Sequence, residues 1–393
     1  MSRVYLDHNA TTPLRRAARD AMIAAMDVVG NPSSVHGEGR AAKGLVERAR
    51  AQVAQAVGCE PSQVVFTSSA TEAAALAAAQ KTRHGGVFAA LATEHDCVGV
   101  WADEELPRLL DKSGAVSPQG GSAFLGWLTM LAGDVWQADR GPVALVGMSA
   151  ANSETGVLLA SGKVLGSGRA SASRAGTVPY STLCDITQLV GKMPVVYQDT
   201  TPSYAILSAH KLGGPKGVGA LINFTPDDPL PMLRGGGQEM NRRSGTENVI
   251  GIAGFGAAIE AAMADLEAGV WARVEKLRTI LESGVEAASK ETILVGKDAD
   301  RLPNTSCLLT PGWKGETQVM AMDLAGFAIS AGSACSSGKV KASRVLMAMG
   351  YTEADAACAI RVSLGRDNTE QDVTRFVDVW TEKLKKHRVR AAV

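Results

Sequence analysis

Five short, largely apolar runs with helical patterns between them constrain this chain more than any other feature: residues 64–67, 87–91, 143–148, 178–183 and 204–207. Their aliphatic and β-branched content, bounded by Gly, Ser, Asn and Pro, reads as buried strand. Strands that alternate with helices bury both faces of a mostly parallel sheet, so a doubly wound α/β architecture is expected. Such sheets place their ligands beyond the carboxyl ends of the strands. The residues that close each run are therefore the first to read for chemistry.

The run at 204–207 is closed by Ser208-Ala209-His210-Lys211-Leu212-Gly213-Gly214-Pro215-Lys216-Gly217, and a further apolar run, 218–224, follows. A Gly/Pro-rich turn between two strands holds Lys211 on rigid backbone at a strand's end, within reach of a ligand. With a hydroxyl three residues before it and an imidazole one before it, this lysine has the parts to hold a phosphate beside an imine, as a pyridoxal phosphate (PLP) Schiff base requires. Taken alone, the window is a weak signal, since most lysines are solvated surface charges. Upstream, Cys184-Asp185-Ile186-Thr187-Gln188 closes the run at 178–183. PLP is an electron sink only while its ring nitrogen stays protonated, and a buried carboxylate such as Asp185 enforces this at roughly 1.4 kcal/mol per pKa unit. Gln188 could then reach the ring's phenolic oxygen. Without the lysine motif, Asp185 would read as a turn residue or helix cap.

Residues 64–67 run into Ser68-Ser69-Ala70-Thr71-Glu72 and an alanine-rich helix expected over 73–80. Free N–H groups and the helix dipole converge there on one anion site, suited to the PLP phosphate; Ser69 or Thr71 acting as an N-cap is compatible with that and with a purely structural role. After 87–91 comes Thr93-Glu94-His95-Asp96, whose imidazole could stack on a flat ring and move protons near neutral pH, or could simply be hydrogen-bonded structure. The run at 143–148 closes on the polar loop that holds Asn152, Ser153 and Glu154.

Thr12 followed by Pro13 predicts an N-cap and first turn for a helix reaching about residue 28. A connector over 30–37 and a second helix over 41–57, stopped by Gly58, come next. A helix near 123–131 is expected within 101–141, a region that carries no assignable chemistry. The glycines at 235–237 and the arginines at 242 and 243 suit a second phosphate contact or a subunit boundary. Amphipathic helices are expected over 248–266 and 270–289. Strands at 293–295, 305–309 and 360–364 then alternate with helices, and Thr369-Glu370-Gln371-Asp372 is a capping box for the last of them. The expected division is an N-terminal arm, 1–15, packing with the small domain, a large PLP-binding domain, 16–257, and a smaller C-terminal α+β domain, 258–393. Within the last lies Gly332-Ser333-Ala334-Cys335-Ser336-Ser337-Gly338-Lys339, small polar residues with no apolar wall to bury the cysteine. Exposure and nearby lysines favour its thiolate. Arg361 interrupts an apolar strand and could fork onto a substrate carboxylate.

Lysine plus arginine and aspartate plus glutamate both number 40, without long like-charge blocks, so neither nucleic acid nor a membrane surface is an expected partner. No apolar run approaches the roughly 18 residues of a bilayer span, and no signal peptide is visible. The cysteines at 59, 97, 184, 307, 335 and 358 form no CxxC pair. Free thiols in a reducing cytoplasm are expected, with no metal-ligand set.

These motifs in this order resemble the cysteine desulfurases of the NifS/IscS type, within the class V aminotransferase family. The similarity runs from Tyr5-Leu6-Asp7 to Arg366 and is most specific at 208–211, at Arg243-Ser244-Gly245-Thr246-Glu247-Asn248 and at 332–335. It implies a fold type I PLP homodimer that takes sulfur from L-cysteine, leaving L-alanine and a persulfide on Cys335 for an acceptor such as an iron-sulfur scaffold. Lys211 would hold the cofactor and move the Cα proton, and His95 would stack on the ring and assist. Asp185 and Gln188 would hold ring nitrogen and phenolic oxygen; Ala70, Thr71, Ser208 and His210 the phosphate, with Thr246 from the neighbouring subunit. Asn31 and Arg361 would seat the cysteine carboxylate. A related class V aminotransferase or a selenocysteine lyase is the alternative. Ser153 stands where the family commonly has an asparagine that touches the phenolic oxygen, and Ser69 and Ala209 where it commonly has glycine.

Overall fold

The computed structural model describes residues 3–106, 111–112, 137–138, 141–159, 163–164, 181–197, 201–332 and 342–391. The chain enters through β1 (Val4–Tyr5), then supplies β2 (Val64–Thr67), β3 (Val87–Leu91), β4 (Glu104–Leu106), β5 (Gln137–Ala138) and β6 (Gly141–Ser149). After β7 (Lys163–Val164) come β8 (Ser181–Asp185), β9 (Val196–Tyr197), β10 (Tyr204–Ser208) and β11 (Gly219–Asn223). The large sheet has the order β2-β11-β10-β8-β6-β3-β4, with β5 hairpinned onto β6. Strands β10, β8, β6, β3 and β4 are parallel. Only β11 runs against both its neighbours, which leaves β2 pointing the same way as the parallel set.

Both faces of this sheet are covered. Val64, Phe66, Ala205 and Leu207 face one core with Ala18, Val46, Val53, Phe255 and Ile259. These come from α1 (Arg16–Met26), α2 (Gly37–Val57) and the helix Val249–Glu267. Val65, Tyr204 and Ile206 face the other, against Ala73, Ala74 and Leu76 of α3 (Ala70–Ala78). Burial on both sides is why the strands read as continuous apolar runs rather than as alternation. Contrary to the expectation from apolar runs, the helix Val249–Glu267 is long and apolar enough to cross a bilayer. Phe255, Ala258, Ile259 and Ala262 of that helix are fully buried against the sheet, as in a core helix.

The expected cap at Thr12 is not made. The first helix begins at Arg16, with Arg15 in the cap position and no side-chain cap bond. Thr12 Oγ1 donates instead to Lys211 O (3.0 Å) and its N–H to His210 O (2.9 Å), so a long-range tie takes the hydroxyl that a local cap would have used. The second helix starts four residues early, at Gly37, and stops as expected at Gly58, whose φ of 70° is left-handed. The third starts at Ala70, with Ser69 as its N-cap accepting the Glu72 N–H. The capping box of the last helix forms in both directions, Thr369 N to Asp372 Oδ2 at 3.0 Å and Asp372 N to Thr369 Oγ1 at 3.2 Å. The helix expected near 123–131 lies outside the described residues.

The C-terminal sheet pairs β12 (Ile293–Leu294), β13 (Thr305–Leu309), β15 (Ser330–Ala331) and β16 (Ala359–Ser363) in the order β12-β13-β16-β15, all antiparallel. Strand β14 (Phe327–Ala328) pairs in parallel with β1, so the N-terminus is threaded into this unit. Trp271, Leu281, Trp313, Phe327, Phe376 and Trp380 make its own core.

Candidate active site

Register sets the site. Ser149 lies beside Asp185, and Ser208 and Thr67 flank Gly219, so the closing residues of β2, β6, β8 and β10 stand along one edge of the sheet. Gly219 is required there. A Cβ on it would come within 2.5 Å of the Ser69 carbonyl carbon and 2.8 Å of the Ala70 nitrogen. The missing side chain lets the start of α3 rest on the strand beside Ser208. Four N–H groups at a helix start have no intrahelical partner; the Ser69 side chain takes that of Glu72, and those of Ala70 and the exposed Thr71 are placed to cradle an anion. Ser69 caps α3 while Glu72 reaches back to the Ser68 N–H at 2.7 Å, leaving Ala70 and Thr71 at the mouth.

Arg243 fastens the far wall. Its Nε donates to Glu72 Oε1 at 2.9 Å, and although burial pushes the Glu72 carboxyl up, Arg243 and the Ser68 N–H hold it below the usual range. Behind it, Arg50 forks onto both oxygens of Glu239 at 2.8 and 2.7 Å, and Glu239 also takes the Phe66 N–H. That buried pair pins three successive left-handed residues, Glu239, Met240 and Asn241, against β2. Thr246 is exposed at the end of this segment, lining a cavity of about 250 Å³ with Thr67, Ser68 and Val218.

Lys211 sits on a single 3-10 turn after β10, but its amine is turned back onto the N-terminal loop. It donates to Asn9 O at 2.7 Å and to Ala10 O at 2.9 Å. His210 is held by Thr11 Oγ1 at 3.1 Å; burial, with Lys211 and Lys216 nearby, lowers it to about 4, so the ring is neutral. Asp185 Oδ1 accepts the Thr187 N–H at 2.8 Å, which fixes the carboxylate at the end of β8. His95 caps the short helix Asp96–Gly99, its Nδ1 accepting the Cys97 N–H at 3.1 Å. That assigns the proton of the neutral ring to Nε2.

Gln188 is 5% exposed, with Nε2 donating to Asn9 O at 3.0 Å and Oε1 accepting from Lys192 at 2.8 Å. Ser153 takes part through its carbonyl, which accepts from Arg361 Nη1 and Asn9 Nδ2. Arg361 is 3% exposed, gives Nη2 to Asp7 at 2.9 Å, and leaves Nε buried with no partner among the described residues. Asn31 lies in an exposed turn with Oδ1 on the Ser33 N–H, and no contact joins it to Arg361 among the described residues. Cys335 lies outside the described residues. The residues on either side of its segment meet: a Cβ on Gly332 would stand 3.1 Å from Ser343 Cβ and 3.4 Å from Glu154 Oε2. Ser330, two residues before Gly332, is in register with Arg361.

Four groups at the site, Asp7 half-buried and the other three buried, carry no local mark in the sequence. Asp7 and Asn9 follow β1 directly, and their partners lie as far away as Ser330, Thr305 and Ser363. Lys192 stands in an ordinary turn. Glu94 draws less notice than its neighbour His95, yet it is 3% exposed and accepts the Ser149 hydroxyl. Burial pushes it up to about 7, with Asp185 adding and Ser149 and His95 opposing. The folded chain therefore keeps a proton that the unfolded chain has released between 4.5 and about 7, so this stabilisation is present at acid pH and lost as pH rises through about 7. Denaturant midpoints of wild type and Glu94→Gln taken from about pH 5 to about pH 8 should diverge. Wild type should lose roughly 1.4 kcal/mol for every pH unit over which only the folded chain holds the proton. Parallel curves would show that Glu94 carries no proton in the folded chain.

A mostly parallel sheet with a helix start opened by a glycine for an anion, beside a lysine-bearing turn and a strand-end carboxylate, fits the phosphate, imine and ring nitrogen of PLP. The fold and its donor set are those of a PLP-dependent transferase. Sequence comparison is more specific: the chain belongs to the family described as aminotransferase class-V, whose model matches residues 4–108 and 138–376. It is 38% identical over 392 residues to a cysteine desulfurase of Cereibacter sphaeroides, covering 96% of this chain and 95% of that protein. A cysteine desulfurase of Frankia sp. is 40% identical over 397 residues, covering 96% and 90%. Among solved structures, a NifS-like protein from Rickettsia africae aligns with a TM-score of 0.80 at 30% identity, over 97% of this chain and 99% of that one. The five described cysteines are unpaired.

Proposed function

We propose that the edge of the large sheet and the Cys335 segment together make this protein a PLP-dependent cysteine desulfurase. The observation that carries the reading is the convergence of Lys211, Asp185 and the opened start of α3 on one sheet edge, within reach of Arg361 through Asn9 and Ser153. PLP, when bound, supplies the electron sink that lets the substrate's Cα–H and Cβ–S bonds break. Lys211, now resting on the Asn9 and Ala10 carbonyls, would hold the cofactor and move the Cα proton. Asp185 would keep the ring nitrogen protonated, His95 would stack on the ring and assist proton transfer, and Gln188 would present its amide to the phenolic oxygen. Ser153 engages its carbonyl with Asn9 and Arg361, and its short side chain would stand where the family's asparagine meets the phenolic oxygen. The N–H groups of Ala70 and Thr71 receive the phosphate together with Ser208 and His210, and Thr246 reaches the same site from a second copy, in a homodimer.

Arg361, held flat by Asp7 and the Ser153 carbonyl, presents its remaining hydrogens to the carboxylate of L-cysteine, and Asn31 helps to seat it. Chain connectivity alone keeps Cys335 within about 11 Å of Gly332, three residues away. Its thiolate attacks the substrate sulfur; the new S–S bond forms as Cβ–S breaks, the electron pair stays on Cβ, and a proton taken up there completes L-alanine. The persulfide on Cys335 then passes its outer sulfur to an acceptor protein such as an iron-sulfur scaffold. The chain divides into a large cofactor-holding unit and a small C-terminal unit, but the boundary expected at 257/258 falls inside the helix Val249–Glu267, whose Ala258, Ile259 and Ala262 pack with the large sheet. The arm 1–15 is tied to both units, through β1 to β14 and through Thr12 to Lys211. The cytoplasm, where thiols stay reduced, suits a working free cysteine.

Incubation of the holoenzyme with L-cysteine and a reducing thiol should release alanine and sulfide in equal amounts. Amino-group transfer to a 2-oxo acid without sulfide would sink this reading in favour of an aminotransferase.

A further inference from the structure

Lys192 is a lysine buried without an acid. It is 3% exposed, and among the described residues its Nζ hydrogen-bonds only amide oxygens, Asn9 Oδ1 at 3.1 Å and Gln188 Oε1 at 2.8 Å. The charged or titratable groups that face it, Lys211, Arg361 and the His8 ring, are all basic. Burial first, then Lys211 and Arg361, hold its amine well below the usual lysine range. An apolar side chain of the same length would spare the fold that desolvation. What the lysine adds is hydrogens, and both oxygens that take them belong to amides whose direction matters.

The Gln188 amide is pinned at both ends. Its Nε2 faces Asn9 O, a carbonyl that can only accept, and its Oε1 faces Lys192. Asn9 O is also the carbonyl on which the Lys211 amine rests. One Nε2 hydrogen goes to Asn9, and no second acceptor for the other lies among the described residues. The Asn9 amide is fixed in the same way, Nδ2 on Ser153 O and Thr305 Oγ1, Oδ1 on Lys192 and Asn304 Nδ2. A buried amide with all four bonds made cannot turn without breaking them.

We propose that Lys192 is a positioning residue: by taking the Gln188 oxygen it turns an N–H, not a carbonyl, toward the anionic oxygen of the ligand held at Lys211. The inference rests on the reading of that site as the PLP site, where the oxygen is the phenolic one. A donor there stabilises the phenolate and lowers the pH at which the bound chromophore loses its proton. Removing the donor must raise that pH.

The test uses holoenzyme reconstituted with PLP, with the pH midpoint of the visible band and the PLP dissociation constant as readouts. Lysine donates to Gln188, glutamine at 192 can donate or accept, and methionine can do neither. The midpoint should therefore rise in the order wild type, Lys192→Gln, Lys192→Met, the last by about one pH unit with PLP bound about tenfold more weakly. In a Gln188→Ala background the same substitutions should move neither readout, since no amide remains to be turned. Folded Lys192→Met at the wild-type midpoint and affinity would overturn the proposal. If Lys192→Met does not fold, a Lys192→Gln midpoint equal to wild type would overturn it, and a raised midpoint supports it. Wild-type protein that takes up no chromophore overturns the reading of the site itself.

Discussion

Cys335→Ala should keep its colour and lose its product. The holoenzyme of this variant is expected to bind PLP and L-cysteine with near wild-type affinity, while sulfide release falls by about a thousandfold or more, as when a nucleophile is removed from a unit that acts together. The separation follows from where the groups lie. The proposed cofactor contacts come from β8, β10, the starts of α3 and the Asp96–Gly99 helix, and the 235–248 segment, none of which is continuous with 333–341. The substrate's carboxylate is proposed to meet Arg361, whose orientation is set by Asp7 and Ser153. With those intact, the variant should still exchange the Cα hydrogen of L-cysteine with solvent, because Lys211 is untouched. What disappears is the only protein sulfur proposed to receive the substrate's. Added small thiols should restore a fraction of turnover by attacking in its place. Undiminished sulfide production without them would mean that sulfur leaves by elimination and that the cysteine segment has another purpose.

The strands and their polar ends are legible because a sheet buried on both faces writes each strand as an unbroken apolar run, and the turn residues after it show where the chain leaves the core. Ser208, Asp185 and the start of α3 can be placed together from that alone. The amine of Lys211 can be placed at a strand's end but not aimed, since its resting acceptors, Asn9 O and Ala10 O, lie some two hundred residues earlier. Thr12 fails as a cap for the same reason: propensity describes local competition, and the carbonyl of Lys211 outcompetes the helix start for the hydroxyl. Asn9 is the extreme case. Among the described residues its seven hydrogen bonds reach the loop after β6, both sides of β8's following turn, Lys211, and the C-terminal unit at Asn304, Thr305 and Ser363, and no short window of sequence holds Asn9 together with any of those partners.

Lys211→Ala tests the centre of the scheme and should have the largest effect of all. Sulfide and alanine production are expected to fall by roughly ten-thousandfold or more, because one amine is proposed to supply both the attachment of the cofactor and the transfer of the Cα proton. The fold should survive. Asn9 O keeps the Gln188 amide, so the substitution strips a donor from Ala10 O alone, at a cost of about 1 kcal/mol. PLP should still associate through the phosphate cradle, which the variant leaves intact, but with no bond to protein. Borohydride reduction followed by digestion separates these possibilities directly: in wild type the reduced adduct should lie on the peptide holding Lys211, and in Lys211→Ala no lysine should carry it. The sharpest rival within the structure is Lys192, a second amine joined to Lys211 through Gln188 and Asn9. It is buried, and its amine is already engaged with two amide oxygens, Asn9 Oδ1 and Gln188 Oε1, rather than at the end of a strand. A reduced adduct found on Lys192, or turnover retained without Lys211, would move the reactive amine to a different turn of the chain and undo every role assigned around it.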